Sequence, residues 1–236
     1  MPNPTRHPPA APGPSTSRPV PHPPSRVLLG GGVVAGVLFP IVALLQALFR
    51  AGFDVVRYPL SLLSLGDLGW IQVGDFVVSG LLFTALAVGM RGTLAVGDPA
   101  RTWGPVLTAV FGLGMVTAGI CRTDPALGYP PGTPALTPTA LSAAGWGHTA
   151  GFTLAFLALP AVCLVFARRF RVRSRPAAAR ACILTTVVIV LLVAVGMSVP
   201  PVAGLAFAAA GALACWWMAV IAADLLAAAR TTPRGD

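Results

Sequence analysis

Arg50-Ala-Gly-Phe-Asp-Val-Val-Arg-Tyr-Pro-Leu-Ser-Leu-Leu-Ser-Leu-Gly-Asp-Leu-Gly-Trp-Ile-Gln72 joins two long apolar runs, residues 27–49 and 70–90. The stretch holds two Arg, two Asp, two Ser, a Tyr and a Trp, a mixture richer than a bare connector needs. The runs on either side are each long enough to cross a hydrocarbon core of about 30 Å, which takes roughly 20 apolar residues as a helix. The whole chain follows suit: 56% of its 236 residues are hydrophobic and 10% are charged, with a mean hydropathy of +0.80. A soluble domain carries about 25% charged residues, so lipid must be much of this protein's solvent.

Outward from that stretch, the pattern predicts an all-α, integral membrane, six-helix bundle. Its spans are 27–49, 70–90, 103–121, 146–167, 181–198 and 205–229, within one transmembrane domain over 27–229. Residues 1–26 include ten Pro and read as a disordered tail, and residues 230–236 form a short polar tail. The first run is too long for the apolar core of a secretory signal. Gly32 with Gly36, and Gly147 with Gly151, form GxxxG patterns that let helices approach closely. Pro40 should kink the first span.

All 16 basic residues are Arg, and their placement orients the bundle. An even number of spans puts both termini on one side. The tails and the 2–3 and 4–5 links carry thirteen Arg, and the opposite face carries only Arg50, Arg57 and Arg122. The positive-inside rule then makes the termini cytoplasmic, with the Arg50–Gln72 loop outside. Trp70, Trp103 and Trp146 each open a span, as an interfacial aromatic belt would. Arg168, Arg169, Arg171, Arg173 and Arg175 serve as an orientation signal and offer a site for anionic lipid. The dispersed Arg make no folded basic surface, so nucleic acid is not an expected partner.

Cys121, Cys163, Cys182 and Cys215 lack metal-ligand or CxxC spacing and read as small apolar residues. No metal and no cofactor is expected. Polar groups at membrane depth are few. Gln72, Asp75 and Ser79 share one face of the second span, where Asp75 should turn into the bundle and pair with Arg50 or Arg57. Asp224 should pair with Arg230 or the 4–5 link. His148 opens the fourth span at the same level as Asp54, Asp67, Asp75, Asp124, Ser61, Ser64 and Ser142. Tyr58–Leu65 reads as a short interfacial helix with Pro59 at its start and Leu side chains dipping into the bundle mouth.

The run Gly52-Phe-Asp, then Arg57-Tyr-Pro-Leu-Ser-Leu-Leu-Ser-Leu-Gly-Asp-Leu-Gly-Trp-Ile-Gln72, followed by Asp124-Pro125 and Gly147-His148, resembles the bacterial domain-of-unknown-function 998 membrane proteins. The resemblance implies a compact six-helix bundle in the inner, or cell, membrane of bacteria and no established reaction.

Three functions compete. The first is binding, sensing or structural, through an outward polar mouth built from Asp54, Arg57, Asp67, Gln72, Asp75, Asp124 and His148. The second is an intramembrane lipid or amide hydrolase, with His148, Asp124, Ser61 or Ser64 as catalytic candidates, which requires His148 within hydrogen-bond reach of a partner. The third is a small-solute transporter, which requires polar residues along a path through the membrane. The sequence leaves enzymatic activity and oligomeric state open.

Overall fold

A computed structural model describes residues 23–136 and 138–230. Its long helices are α1 (Pro23–Phe49), α2 (Gly69–Thr93), α3 (Trp103–Ile120), α4 (Ala143–Val172), α5 (Pro176–Ser198) and α6 (Ala203–Arg230). Short 3-10 turns cover Leu60–Ser64 and Pro200–Val202. Among the described residues no strand forms, and all six long helices are apolar and long enough to span a membrane. The expected tail over 1–26 lies mostly outside the described residues, and its last four residues begin α1. Residues 231–236 also lie outside them.

Most helices extend past their apolar runs. The fourth gains three residues at its start and five at its end relative to the expected 146–167, and the fifth starts five residues early. Hydropathy marks only the part of a helix that sits in hydrocarbon, whereas backbone hydrogen bonding continues beyond it. At 30 residues α4 is about 45 Å long. The basic link between α4 and α5 shrinks to Arg173–Arg175, with Ser174 at φ 55°.

Each helix packs on its neighbours in the chain, and α6 returns to α1, so the six form a closed ring. Arg26 Nη2 donates to Ala229 O at 2.6 Å, which puts the start of α1 and the end of α6 at one end. We call that the terminal end and the opposite one the loop end. Large aliphatic side chains face outward on every helix, among them Val34, Leu81, Leu113, Leu157, Leu191 and Val220. So much exposed apolar surface is unfavourable in water and suits lipid.

With no hydrophobic drive between helices inside a bilayer, close packing at small residues holds them together. A Cβ at Gly114 on α3 would stand 2.7 Å from Gly151 O on α4. Gly147 and Gly151 thus form one seam against α3. Gly32 and Gly36 do not share a seam: Gly32 admits Leu86 of α2, and Gly36 admits Cys215 and Ala219 of α6.

The ring interior differs between its two ends. The terminal half is filled, with Leu29, Leu86, Met90, Leu159, Phe166, Met218, Ile221 and Leu225 fully or almost fully buried. The loop half is hollow. Over it lie the two long loops, 50–68 and 121–142. Phe53, Tyr58 and Tyr129 meet ring to ring at 5.2–5.6 Å across these loops. Leu205 N donates to Val56 O at 3.1 Å, tying the first loop to the start of α6. The expected interfacial helix is the shorter 3-10 turn, with Pro59 immediately before it, and it buries Leu62, Leu63 and Ser64.

Candidate functional site: an apolar cavity beneath the loop cap

A cavity of about 360 Å³ occupies the loop half of the ring. Phe39 of α1, Phe76 of α2, Phe111 of α3, Phe152 and Phe156 of α4 and Phe207 of α6 supply its aromatic wall. Pro59, Leu60 and Ser61 cover it from the first loop, and His148 stands at its loop-end side. Phe152 and Phe207 meet edge to face at 5.6 Å. Thr149 and Thr153 on α4 and Met197 on α5 line the cavity and are exposed, so it opens sideways between these helices towards lipid. A Cβ on Gly211 would meet nothing within 4 Å.

The local sequence explains how His148 is placed. Ser142 caps α4, accepting from Gly145 N at 3.0 Å, while Asp124 accepts from Ser142 N at 2.9 Å. This fixes the first turn of α4 against the second loop. His148, one turn on, directs Nδ1 at the open carbonyls where α3 ends, Ala118 O at 2.7 Å and Cys121 O at 3.1 Å. Carbonyls only accept, so Nδ1 carries the hydrogen. Phe76 meets the imidazole edge to face at 6.3 Å.

The other candidates fall into different places. Ser61 lines the cavity with His148. Ser64 is buried and donates to Ser61 O at 2.7 Å. Asp54 is exposed and accepts from Val56 N at 2.9 Å, forming a local turn. Arg57 lies 5.7 Å over the Tyr58 ring, and Asp67 is exposed. None of Asp54, Arg57, Asp67 and Asp124 lines the cavity. The loop-end mouth is therefore mostly apolar, with its carboxylates set in the surrounding loops where backbone N–H groups need acceptors.

Gln72, Asp75 and Ser79 do share one buried face of α2. The expected pairing of Asp75 with Arg50 or Arg57 does not form. Arg50 instead reaches backbone carbonyls, Leu63 O at 3.4 Å, Leu65 O at 3.3 Å and Leu68 O at 3.0 Å, and so closes the first loop. It also donates to Gln46 Oε1 at 3.1 Å, and Gln46 Nε2 donates to Gln72 Oε1 at 2.7 Å. A guanidinium can only donate, so the direction of both amides follows. The relay ends at Gln72 Nε2. Among the described residues, that atom, both Asp75 carboxyl oxygens and Ser79 Oγ are buried without a hydrogen-bond partner.

At the terminal end the reading of single charges missed a cluster. The side chain of Asp98 in the α2–α3 link is buried and accepts from Arg169 Nε at 3.1 Å and Arg173 Nη2 at 2.9 Å. Asp224 pairs with Arg169 at 3.4 Å and with Arg175. The expected partner for Asp224 in the 4–5 link is present. Arg169 itself is 2% exposed, so it cannot reach lipid head groups and leaves the proposed anionic-lipid set. The signal for Asp98 was available: it is the only acid in a link that lies at the same end as the Arg-rich run. Among the described residues no group of three His, Cys, Asp or Glu gathers closely enough to hold a metal ion.

A ring of six apolar helices with a lipid-facing surface and a buried, laterally open cavity defines a multi-pass membrane protein. The chain belongs to the family described as protein of unknown function (DUF998), whose model matches residues 33–224. No curated protein and no solved structure matches it.

Proposed function

We propose that this protein binds an amphiphilic lipid, which enters sideways from the bilayer into the loop-half cavity. The observation that carries this is the cavity itself: about 360 Å³ of aromatic-walled space, open between α4 and α5. Ligand sites are typically concave, mostly apolar and roughly 300–1,000 Å³, with a few placed polar groups. The filled terminal half gives such a ligand no route through, which favours binding or sensing over transport. His148 bonds to two backbone carbonyls, and among the described residues no hydrogen bond joins it to Ser61, Ser64 or Asp124, which favours a recognition role over that of a catalytic base. The test is whether lipid stays bound to the purified protein and is lost when Gly211, whose Cβ direction is open, becomes Phe.

The thirteen-to-three distribution of Arg supports cytoplasmic termini. With the native Cys121 replaced by Ala, a membrane-impermeant maleimide applied to intact cells should then label Leu136→Cys, which is 79% exposed, and spare Val96→Cys, which is 84% exposed. The reverse pattern would invert the orientation. The exposed Arg168 and Arg171, one turn beyond the packed terminal half, suit anionic lipid at that surface.

A further inference from the structure

The structure assigns to this cavity a ligand whose head group is uncharged and donates a hydrogen bond, the class of long-chain alcohols and hydroxyl-bearing neutral lipids. This rests on the lipid-binding reading above and names what that site would select. Two observations carry it.

The first is charge. The lining contains no Asp or Arg, and the chain has no Glu or Lys. The nearest loop charges are otherwise engaged, Arg50 on carbonyls, Arg57 on Tyr58 and Asp124 on the α4 cap, and the carboxyl behind the lining, Asp75 beside Cys215, would repel an anion. An ionised carboxylate or phosphate entering the wall of Phe rings would meet no counter-charge, and burying an unpaired charge is expensive. An amphiphile with a neutral head meets no such cost.

The second is the fixed tautomer of His148. With Nδ1–H committed to the end of α3, the other ring nitrogen of the neutral imidazole is an acceptor. The ring is 7% exposed and forms part of the cavity wall. A ligand hydroxyl donating to Nε2 would satisfy it, and the aliphatic tail would lie along Phe152, Phe156 and Phe207 towards the lateral opening. The hydroxyls of Ser61 and Thr153 donate or accept equally well, so they add affinity for a polar head without selecting its kind.

The experiment compares decanol, decane and decanoate as probes, with full-length protein in nanodiscs and thermal stabilisation as the readout. A ligand that binds the folded state raises the melting temperature by mass action. Decanol should bind about threefold to tenfold more tightly than decane, the range that one net hydrogen bond supplies, and decanoate should bind weakest. His148→Asn places an amide N–H near the Nδ1 position and removes Nε2. It should still melt cooperatively and bind decane as wild type does, with the preference for decanol lost. His148→Gln, whose longer amide reaches the Nε2 position, should recover part of that preference. A decanol preference that survives His148→Asn, or decane binding as tightly as decanol to wild type, would overturn the assignment while leaving the cavity as a lipid site. Binding of none of the probes to wild type would overturn the cavity reading and this assignment with it.

Discussion

At the scale of single residues, the buried charges of this bundle are treated in two ways. At the terminal end, Arg169 sits between Asp98 and Asp224 with side-chain exposures of 3%, 1% and 18%. Removing one partner of a buried pair costs about 3–5 kcal/mol when the other is left unpaired. Arg173 on Asp98 and Arg175 on Asp224 would offset part of that, so Arg169→Met should lower the melting temperature and the folded yield by less than the full cost. Arg168→Gln with Arg171→Gln, both exposed, should leave melting unchanged and reduce the preference for anionic over neutral lipid in nanodisc binding. Equal melting of the two variants would contradict the distinction. At the loop end, Asp75 has no cation beside it, and its oxygens join Gln72 Nε2 and Ser79 Oγ as buried atoms without protein partners. The sequence made the shared face of Gln72, Asp75 and Ser79 legible, because their spacing matches the helical repeat. It could not show that Arg50 would be taken by the carbonyls of Leu63, Leu65 and Leu68, since that depends on how the loop folds back.

At the scale of elements, the six spans were legible because an apolar run of that length has no other stable home. Their ends were not, since helical hydrogen bonding outlasts the apolar run, as α4 shows by continuing to Val172. The GxxxG patterns illustrate the same limit. The spacing of Gly32 and Gly36 is identical to that of Gly147 and Gly151, yet only the second pair lies in one seam. Which neighbour a glycine meets is a property of the ring. The α3–α4 seam allows a direct test. Gly114→Val would put a branched side chain where even a Cβ stands 2.7 Å from Gly151 O, so the helices must separate. Overpacking of this kind costs about 1–3 kcal/mol. Gly211→Ala, with open space at its Cβ, should be neutral or stabilising by up to about 1 kcal/mol through helix propensity. Parallel melts of the two variants in the same lipid would separate these outcomes, and a Gly114→Val protein as stable as wild type would contradict the seam.

At the scale of the whole molecule, the ring closes at one end and stays hollow at the other. Composition alone could not show this, because both halves are built from the same Phe, Leu, Met and Ala. The filled half interlocks Phe166, Met218 and Leu225, and the hollow half turns its Phe side chains to the rim of a cavity beneath Pro59–Ser61. A bilayer protein of this shape offers lipid a sheltered compartment with a lateral door, and the loops above it read as its cover. The most direct test is native mass spectrometry of protein released from nanodiscs, comparing wild type, Gly211→Ala and Gly211→Phe. Wild type and Gly211→Ala should carry a retained adduct of lipid mass, and Gly211→Phe should be folded and free of it. An adduct that persists unchanged on folded Gly211→Phe, or a wild-type protein that never carries one in any lipid supplied, would contradict the cavity as the binding site.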